Sequence, residues 1–372
     1  MLPGGLSTGG EIVSQRFIEG LSRSGCTVTC LGYARIGYTP RPGEVVAETR
    51  SIETATAGSA AAMWAAKALL GGRPYSMQKY IGSSYYDQLT SLIREKNFGL
   101  TVIDHAQMGW LRSGLRNSYV IHICHNNETA LYTARVASAS GIRRAMLRRE
   151  AERIRHVESD LAEYCNAIWT LTQSDRAHFL SLGAPNVMAF SVPGIRSQDP
   201  VSLKPKYDVA LLGSWTWQPN RVGLNWFIER VLPLLPPTLT IQVAGAGADD
   251  LRGRRPNVQV NGRIPDAWRF LSEAKCVAVP SIEGAGLQVK TLDAISTGRP
   301  VVATTFAVRE IDPPSTVFVA DEPQAFASAL MHATSGASPG LDDSWARNRE
   351  GRFFSDVDLA VSNLLNHLGV DV

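Results

Sequence analysis

The sequence predicts an α/β protein of two domains, each built on a parallel sheet flanked by helices. Three observations predict it. At 372 residues the chain is longer than one core commonly organises. Strand-like apolar runs alternate with amphipathic helical stretches, the pattern of a parallel sheet. A polar stretch of turn formers, Val192-Pro193-Gly194-Ile195-Arg196-Ser197-Gln198-Asp199-Pro200 running on to Lys206, separates two such series and reads as a linker.

In the first series, residues 11–24 are expected as a helix. Ile12, Val13, Phe17, Ile18 and Leu21 form its apolar stripe, and Gly25 ends it. Strands are expected at 27–31, 100–103, 119–124 and 168–171, with a long helix over about 140–165 between the last two. A doubly wound domain normally opens on a strand that feeds its first glycine-rich loop. Here that loop begins at Pro3, so either the chain starts at an internal methionine or the sheet is built without that strand. In the second series, strands are expected at 209–212, 240–244, 258–260, 276–280 and 301–304, and helices at 222–234, 266–274 and 290–297. Residues 345–368 close the chain as one or two helices. The expected division is 1–192, 193–345, and a tail 346–372 that returns to the first domain.

Composition narrows the class. Hydrophobic residues at 44% and charged residues at 19% exclude a disordered or fibrous chain. No apolar run reaches the length of a membrane span, and the N-terminus does not read as a signal peptide, so the expected location is the cytoplasm. The five cysteines are odd in number and scattered, without Cys-x-x-Cys. Cys26 and Cys30 are read as sharing one face of a strand, as reduced thiols rather than a metal pair. A net charge of +3 suits an anionic small ligand or an acidic membrane surface and not nucleic acid.

The strongest local signal runs from Val279 to Ala294. A strand ends at Pro280, a loop carries Glu283, Gly284 and Gly286, and a helix starts near Leu287 and Gln288. This aims backbone N–H groups and the positive end of a helix at an anion, with Lys290 as a point charge for phosphate. Asp293, three residues on, is expected to accept from ribose hydroxyls and Glu283 from sugar hydroxyls. The plain alternative is a capped helix with a surface lysine. Near the N-terminus, Gly4 to Glu11 precedes a helix that Ser7 or Thr8 would cap, and Gly9 and Gly10 permit close approach of a ligand. His125 follows an apolar strand, where ligands of open α/β sheets gather. His105 stands at a parallel strand end, and His122 alternates to the other side and reads as structural. The stretch from Ile142 to Arg155 is basic and helical. Two readings stand for it: docking on anionic lipid, and a solvated face with Glu–Arg pairs.

Together, Glu283-Gly284-x-Gly286, Lys290-x-x-Asp293-Ala294 and Gly298-Arg299-Pro300-Val301-Val302-Ala303-Thr304 resemble the donor-binding signature of retaining GT-B-fold glycosyltransferases of the family-4 type, glycosyltransferase group 1. The likeness extends along nearly the whole chain. Gly213-Ser214 with Pro219-Asn220-Arg221 resembles the opening of that family's C-terminal domain, and Gly245-Ala246-Gly247 its second glycine turn. Gly262-Arg263-Ile264 is similar to the segment that faces the base. His125-Asn126-Asn127-Glu128, Gly9-Gly10 and Thr172-Gln173-Ser174-Asp175 resemble N-terminal motifs. One departure stands out. The family's common version has two glutamates separated by seven residues, whereas nine residues separate Glu283 from Asp293, and the second acid is shortened to Asp.

The resemblance implies two Rossmann-like domains facing a central cleft. It also implies transfer of a sugar from a nucleoside diphosphate to a hydroxyl acceptor, a glycan or lipid-linked saccharide, with retention. His125, Lys290 and Glu283 are the expected catalytic residues. Gly9, Gly10, Gly213, Asn220, Arg221, Gly262, Arg263, Ile264, Gly284, Gly286, Leu287, Gln288 and Asp293 are expected at the donor. No Asp-x-Asp with strand context occurs, so no metal and no separate cofactor are expected. The alternatives are a nucleotide-sugar epimerase of the same architecture, a degenerate sugar-nucleotide-binding protein, and a dinucleotide-dependent oxidoreductase. The last has only Gly245-Ala246-Gly247 behind it.

Overall fold

The computed structural model describes residues 1–5, 8–50, 52, 58–115, 118–195, 204–284, 286–336 and 343–368. Ser7, Ala285 and the linker residues Arg196 to Pro200 lie outside them. The chain divides into two compact units, residues 1–190 with 354–372, and residues 191–353.

Unit 1 opens with helix α1 (Gly9–Arg23), capped by the Thr8 hydroxyl, which accepts from the Glu11 N–H. Its buried face holds Val13, Phe17 and Leu21, and Phe17 packs on Trp169 and Phe190. Strands β1 (Cys30–Ala34) and β2 (Glu44–Thr49) form a two-stranded parallel sheet. The β-branched run 27–29 is therefore not a strand. Pairing begins only at Cys30, opposite Glu44, and Cys26 does not share a strand face with Cys30. Helices α2 (Ser59–Leu70), α3 (Tyr75–Gln78) and α4 (Ser83–Glu95) follow.

The main sheet of unit 1 has the order β3 (Leu100–Asp104), β4 (Tyr119–Cys124), β5 (Ala167–Thr170), β6 (Val187–Ala189), all parallel. Helices α5 (Glu128–Ala137) and α6 (Gly141–Tyr164) lie between β4 and β5, and α7 (Gln173–Ser181) precedes β6. The carboxylate of Glu158 on α6 is fully buried. It accepts from the N–H groups of Glu128 and Thr129, the Thr129 hydroxyl and His178 Nε2, and so fixes the start of α5.

Unit 2 is a six-stranded parallel sheet built from β7 (Tyr207–Leu212), β8 (Ile241–Ala244), β9 (Val258–Gly262), β10 (Ala274–Val279), β11 (Val301–Ala303) and β12 (Val317–Val319). The order across it is β12-β11-β10-β7-β8-β9. Near-continuous burial of β8, β10 and β11 matches a sheet covered on both faces. Helices α8 (Gln218–Trp226), α9 (Ala267–Ser272) and α10 (Val289–Ser296) lie in crossovers, and α11 (Pro323–Ser335) follows the last strand. Beyond α8 the chain stays helical through a π turn, Phe227–Val231, and a short 3-10 turn, Leu232–Leu234. A single helix, α12 (Ser344–Leu368), closes the chain.

Candidate functional site

Strand order locates the crevice in unit 2. β7 is the first strand of the series and β10 the fourth, so the chain reverses direction across the sheet between them. Open α/β sheets bind ligands beyond the carboxyl ends of the strands at such a reversal. The segments that leave these two strands are Gly213 to Trp217 and Pro280 to Gln288.

Glycines let the backbones close here. A Cβ on Gly223 of α8 would stand 2.3 Å from the Pro280 carbonyl oxygen, so only glycine lets α8 approach the loop after β10. Gly245 has φ +112° and would place a Cβ 1.8 Å from the Gly213 carbonyl oxygen. Its own N–H donates to the Gly262 carbonyl, which ties the loops after β7, β8 and β9 together. Trp215 fills the space beneath Gly213 and donates its indole N–H to the Ala244 carbonyl.

Lys290, in the first turn of α10, donates to Asn220 Oδ1 at 2.6 Å, and Asn220 donates to the Ser214 carbonyl. Burial, helped by the nearby Arg309 charge, pulls the lysine from 10.5 down to about 8. Such an ammonium is short of negative charge. Arg309 lies over the Phe306 ring and donates to the Gly286 carbonyl at 2.6 Å, which braces the glycine loop. Glu283 and Arg263 are exposed, Ile264 is half-buried and Leu287 is buried. Gln288 is the N-cap position of α10.

Two residues expected at the donor have partners within unit 2. Asp293 is buried, and its Oδ1 accepts from the Ile195 N–H at 2.8 Å, so this carboxylate ties the end of the linker to α10. Arg221 forms a two-point ion pair with Asp250 and donates to the Gly247 carbonyl, which commits it to holding the second glycine turn.

In unit 1 a second cluster gathers at the carboxyl ends of β3 and β4. His125 is buried, and its Nε2 lies 2.6 Å from Asp104 Oδ1. Ser14 of α1 donates to Asp104 Oδ2 at 2.5 Å. His105 stacks on His125 with centroids 3.6 Å apart and has φ +69°, a conformation rare outside glycine. Gly10 borders both rings. A Cβ there would meet His105 Cε1 at 3.2 Å and His125 Nδ1 at 3.8 Å. Burial and the neighbouring His125 push His105 down to about 3, so it is neutral. Desolvation raises Asp104, but His125, His105 and the two hydrogen bonds overcome it and hold the carboxyl well below the usual range. His122 faces away, bonded through Nδ1 to the Ile103 carbonyl, and burial lowers it to about 4. Asp175, in the Thr172-Gln173-Ser174-Asp175 segment, accepts from the Asn127 N–H and so steadies the turn after His125.

Asp104, His105 and His125 offer one ligand atom each within 4.8 Å of one another. The two rings are only 22° from parallel, so their in-plane lone pairs run side by side rather than converging. His125 Nε2 is also already committed to Asp104. Within the cluster Asp104 is bonded to both Ser14 and His125.

Sequence reasoning did not single out Asp104, Arg309 or Ser14. No motif marks the last two. Asp104 was visible only as the neighbour of His105.

Two units on parallel sheets, with a glycine loop and a buried lysine at the reversal point of the second, fit the GT-B class of fold. Comparison bears this out. Residues 206–335 match the family described as "Glycosyl transferases group 1". TarM superposes with a TM-score of 0.56 at 15% identity, over 76% of this chain and 58% of that one, so the chain spans under two thirds of TarM. Anabaena Alr3699/HepE in complex with UDP and glucose gives 0.53 at 12% identity, over 76% of this chain and 81% of that one. Spinosyn forosaminyltransferase SpnP gives 0.52 at 12% identity, over 98% and 97%. These likenesses are likenesses of fold. No match is found among curated proteins.

Proposed function

We propose that the protein transfers a sugar from a nucleoside diphosphate to a hydroxyl acceptor, with the nucleotide held by unit 2. One observation carries this reading. Lys290, made electrostatically hungry by burial and by Arg309, stands at the start of α10 beside glycine-loop amides at the sheet's reversal point. As the glycosidic bond breaks, charge builds on the departing diphosphate. Lys290, the α10 N-terminus and the loop N–H groups stabilise that charge without reorganising. Glu283, exposed in the loop, is the group offered to sugar hydroxyls. Unit 1 contributes His125 as a hydroxyl-binding group. The reaction runs with retention and without an obligatory metal, and the donor needs no separate cofactor. UDP is the first nucleotide to try, since the HepE structure holds it.

A glycan or lipid-linked acceptor goes with this reading, as does contact with an anionic membrane face. Met63, Leu69 and Leu70 of α2 and Ile142 and Met146 of α6 are exposed, Leu70 at 91%. Arg149 and Arg153 bond carbonyls at the end of α2 and bring the two helices together. Arg143, Arg144 and Arg148 are exposed, with no partner among the described residues. Apolar side chains amid arginines suit an acidic bilayer surface. No described helix is long and apolar enough to cross a membrane.

The test is release of nucleoside diphosphate from a panel of nucleotide sugars, with and without mixed alcohol and glycan acceptors. Acceptor-dependent release that disappears in Lys290→Ala supports transfer. Conversion of the sugar without any acceptor would instead identify an epimerase, and binding without turnover a degenerate domain.

A further inference from the structure

We propose that Asp104 is the positioning residue of His125. On this assignment Asp104 holds the ring in the Nε2–H tautomer, so that Nδ1 is presented as an acceptor for a carbohydrate hydroxyl. The proposal rests on the sugar-transfer reading above and deepens it.

Three observations carry it. His125 Nε2 lies 2.6 Å from Asp104 Oδ1, and a carboxylate can only accept, so the ring proton sits on Nε2. The carboxylate cannot swing away, because Ser14 holds its other oxygen at 2.5 Å. In the neutral ring Nδ1 is then a bare lone pair, buried with no hydrogen-bond partner among the described residues, on a residue only 5% exposed. A buried acceptor left unpaired is unfavourable unless a ligand completes it. The neighbour nearest to it on α1 is a glycine, and a Cβ there would stand 3.8 Å from Nδ1. Gly10 contributes no side chain beside Nδ1, and its carbonyl is turned toward the Ser14 hydroxyl.

His105 supports the same assignment. Its backbone has an uncommon φ of +69°, fixed by a bond from its N–H to the Ile123 carbonyl, and this lays its ring flat on His125. The stacked ring is neutral and closes one face of His125. The ring can therefore engage a ligand only along its edge, at Nδ1. The ligand group that fits is an O–H donor. A carbonyl or phosphate oxygen would meet a lone pair and be repelled.

Nitrogen-15 spectra of the His125 ring, assigned with His125→Gln, test the tautomer directly. The expected spectrum shows a protonated Nε2 and an unprotonated Nδ1. A proton on Nδ1 in the wild-type protein overturns the proposal whether or not any activity is found. Stoichiometric zinc that moves both ring signals would overturn it too, in favour of a metal centre.

Asp104→Asn then links tautomer to turnover. Its amide can donate to Nε2 and drive the proton to Nδ1, and transfer is expected to fall by about tenfold or more. The affinity for the bare nucleoside diphosphate, held by the other unit, should stay within about twofold. Loss of the extra affinity of nucleotide sugar over nucleotide would assign the hydroxyl to the donor, and a raised acceptor KM alone to the acceptor. Ser14→Ala keeps the carboxylate and should give the same change in milder form. An altered tautomer with unchanged turnover would overturn the proposal and leave the sugar-transfer reading standing.

Discussion

The state of Lys290 gives a prediction with a worked magnitude. Its ammonium titrates near pH 8 in the unliganded protein, against 10.5 for a free lysine, because burial and Arg309 disfavour the charge. A diphosphate bound at the start of α10 supplies the missing opposite charge and returns the lysine toward its ordinary range. Proton binding and nucleotide binding are then linked. Below pH 8 the lysine is already charged, and affinity is at its plateau. Above pH 8 the free protein loses the proton, and each further unit weakens binding about tenfold until the bound-state titration is reached. Between pH 7.5 and 9.5 the expected loss is about 20-fold, or roughly 1.8 kcal/mol. The phosphate's own titration, near pH 6, lies outside this window. Calorimetric titration with UDP, GDP, ADP and dTDP at pH 7.5, 8.5 and 9.5, at constant ionic strength, reads it. Lys290→Met keeps the stem and removes the charge. It should weaken binding at pH 7.5 and abolish the slope. A wild-type affinity that is flat across the range, or a slope that survives in Lys290→Met, would refute the reasoning.

Other consequences follow from the same geometry. Burial, against a hydrogen bond from Gln107, raises Glu128 to about 7 from 4.5. The folded state therefore holds a proton that the unfolded chain has lost, and stability should decline as pH rises from about 4.5 to 7 and level off above. Glu128→Gln should remove that decline and stabilise unit 1 at pH 8 by about 1 kcal/mol, allowing for partial exposure, as thermal melts at several pH values would show. Glu158→Ala leaves the amides of Glu128 and Thr129 without their acceptor in a buried place. It should lower stability by about 2–4 kcal/mol in urea unfolding, and a loss below 0.5 kcal/mol would mean that water replaces the carboxylate. Gly245→Ala combines a φ of +112° with a Cβ contact of 1.8 Å to backbone. It should destabilise unit 2 by about 3 kcal/mol or more, read as a lower denaturation midpoint.

Much of unit 2 was legible because its signals are local. The apolar runs of β7, β8, β9, β10 and β11 lie where the sequence placed strands, and the glycine loop announces the start of α10. Asp293 shows the limit of such reading. Spacing of three from Lys290 suggested a shared ligand face. The residues 291–296 of α10 are all buried, however, and Asp293 meets Ile195, 98 residues away in sequence. Non-local pairing likewise moved β1, whose start is set by Glu44 rather than by the β-branched residues 27–29. Helix α2, an alanine-rich run without a clear apolar stripe, gave no periodicity to read. The Asp104–His125 pair in unit 1 was half visible. His125 was marked by its strand end, but its partner Asp104 sits on the neighbouring strand, and only the register that pairs Asp104 with Ile123 brings them together.

The central claim is that unit 2 holds a nucleoside diphosphate through Lys290. The most direct measurement is the melting temperature of the protein against UDP, GDP, ADP, dTDP and NAD, with Lys290→Ala alongside. A ligand at about a hundred times its dissociation constant stabilises by about 2.7 kcal/mol. The account predicts that one nucleoside diphosphate raises the melt in the wild-type protein and not in Lys290→Ala. A shift with NAD alone, or an undiminished nucleotide shift in the variant, would contradict it.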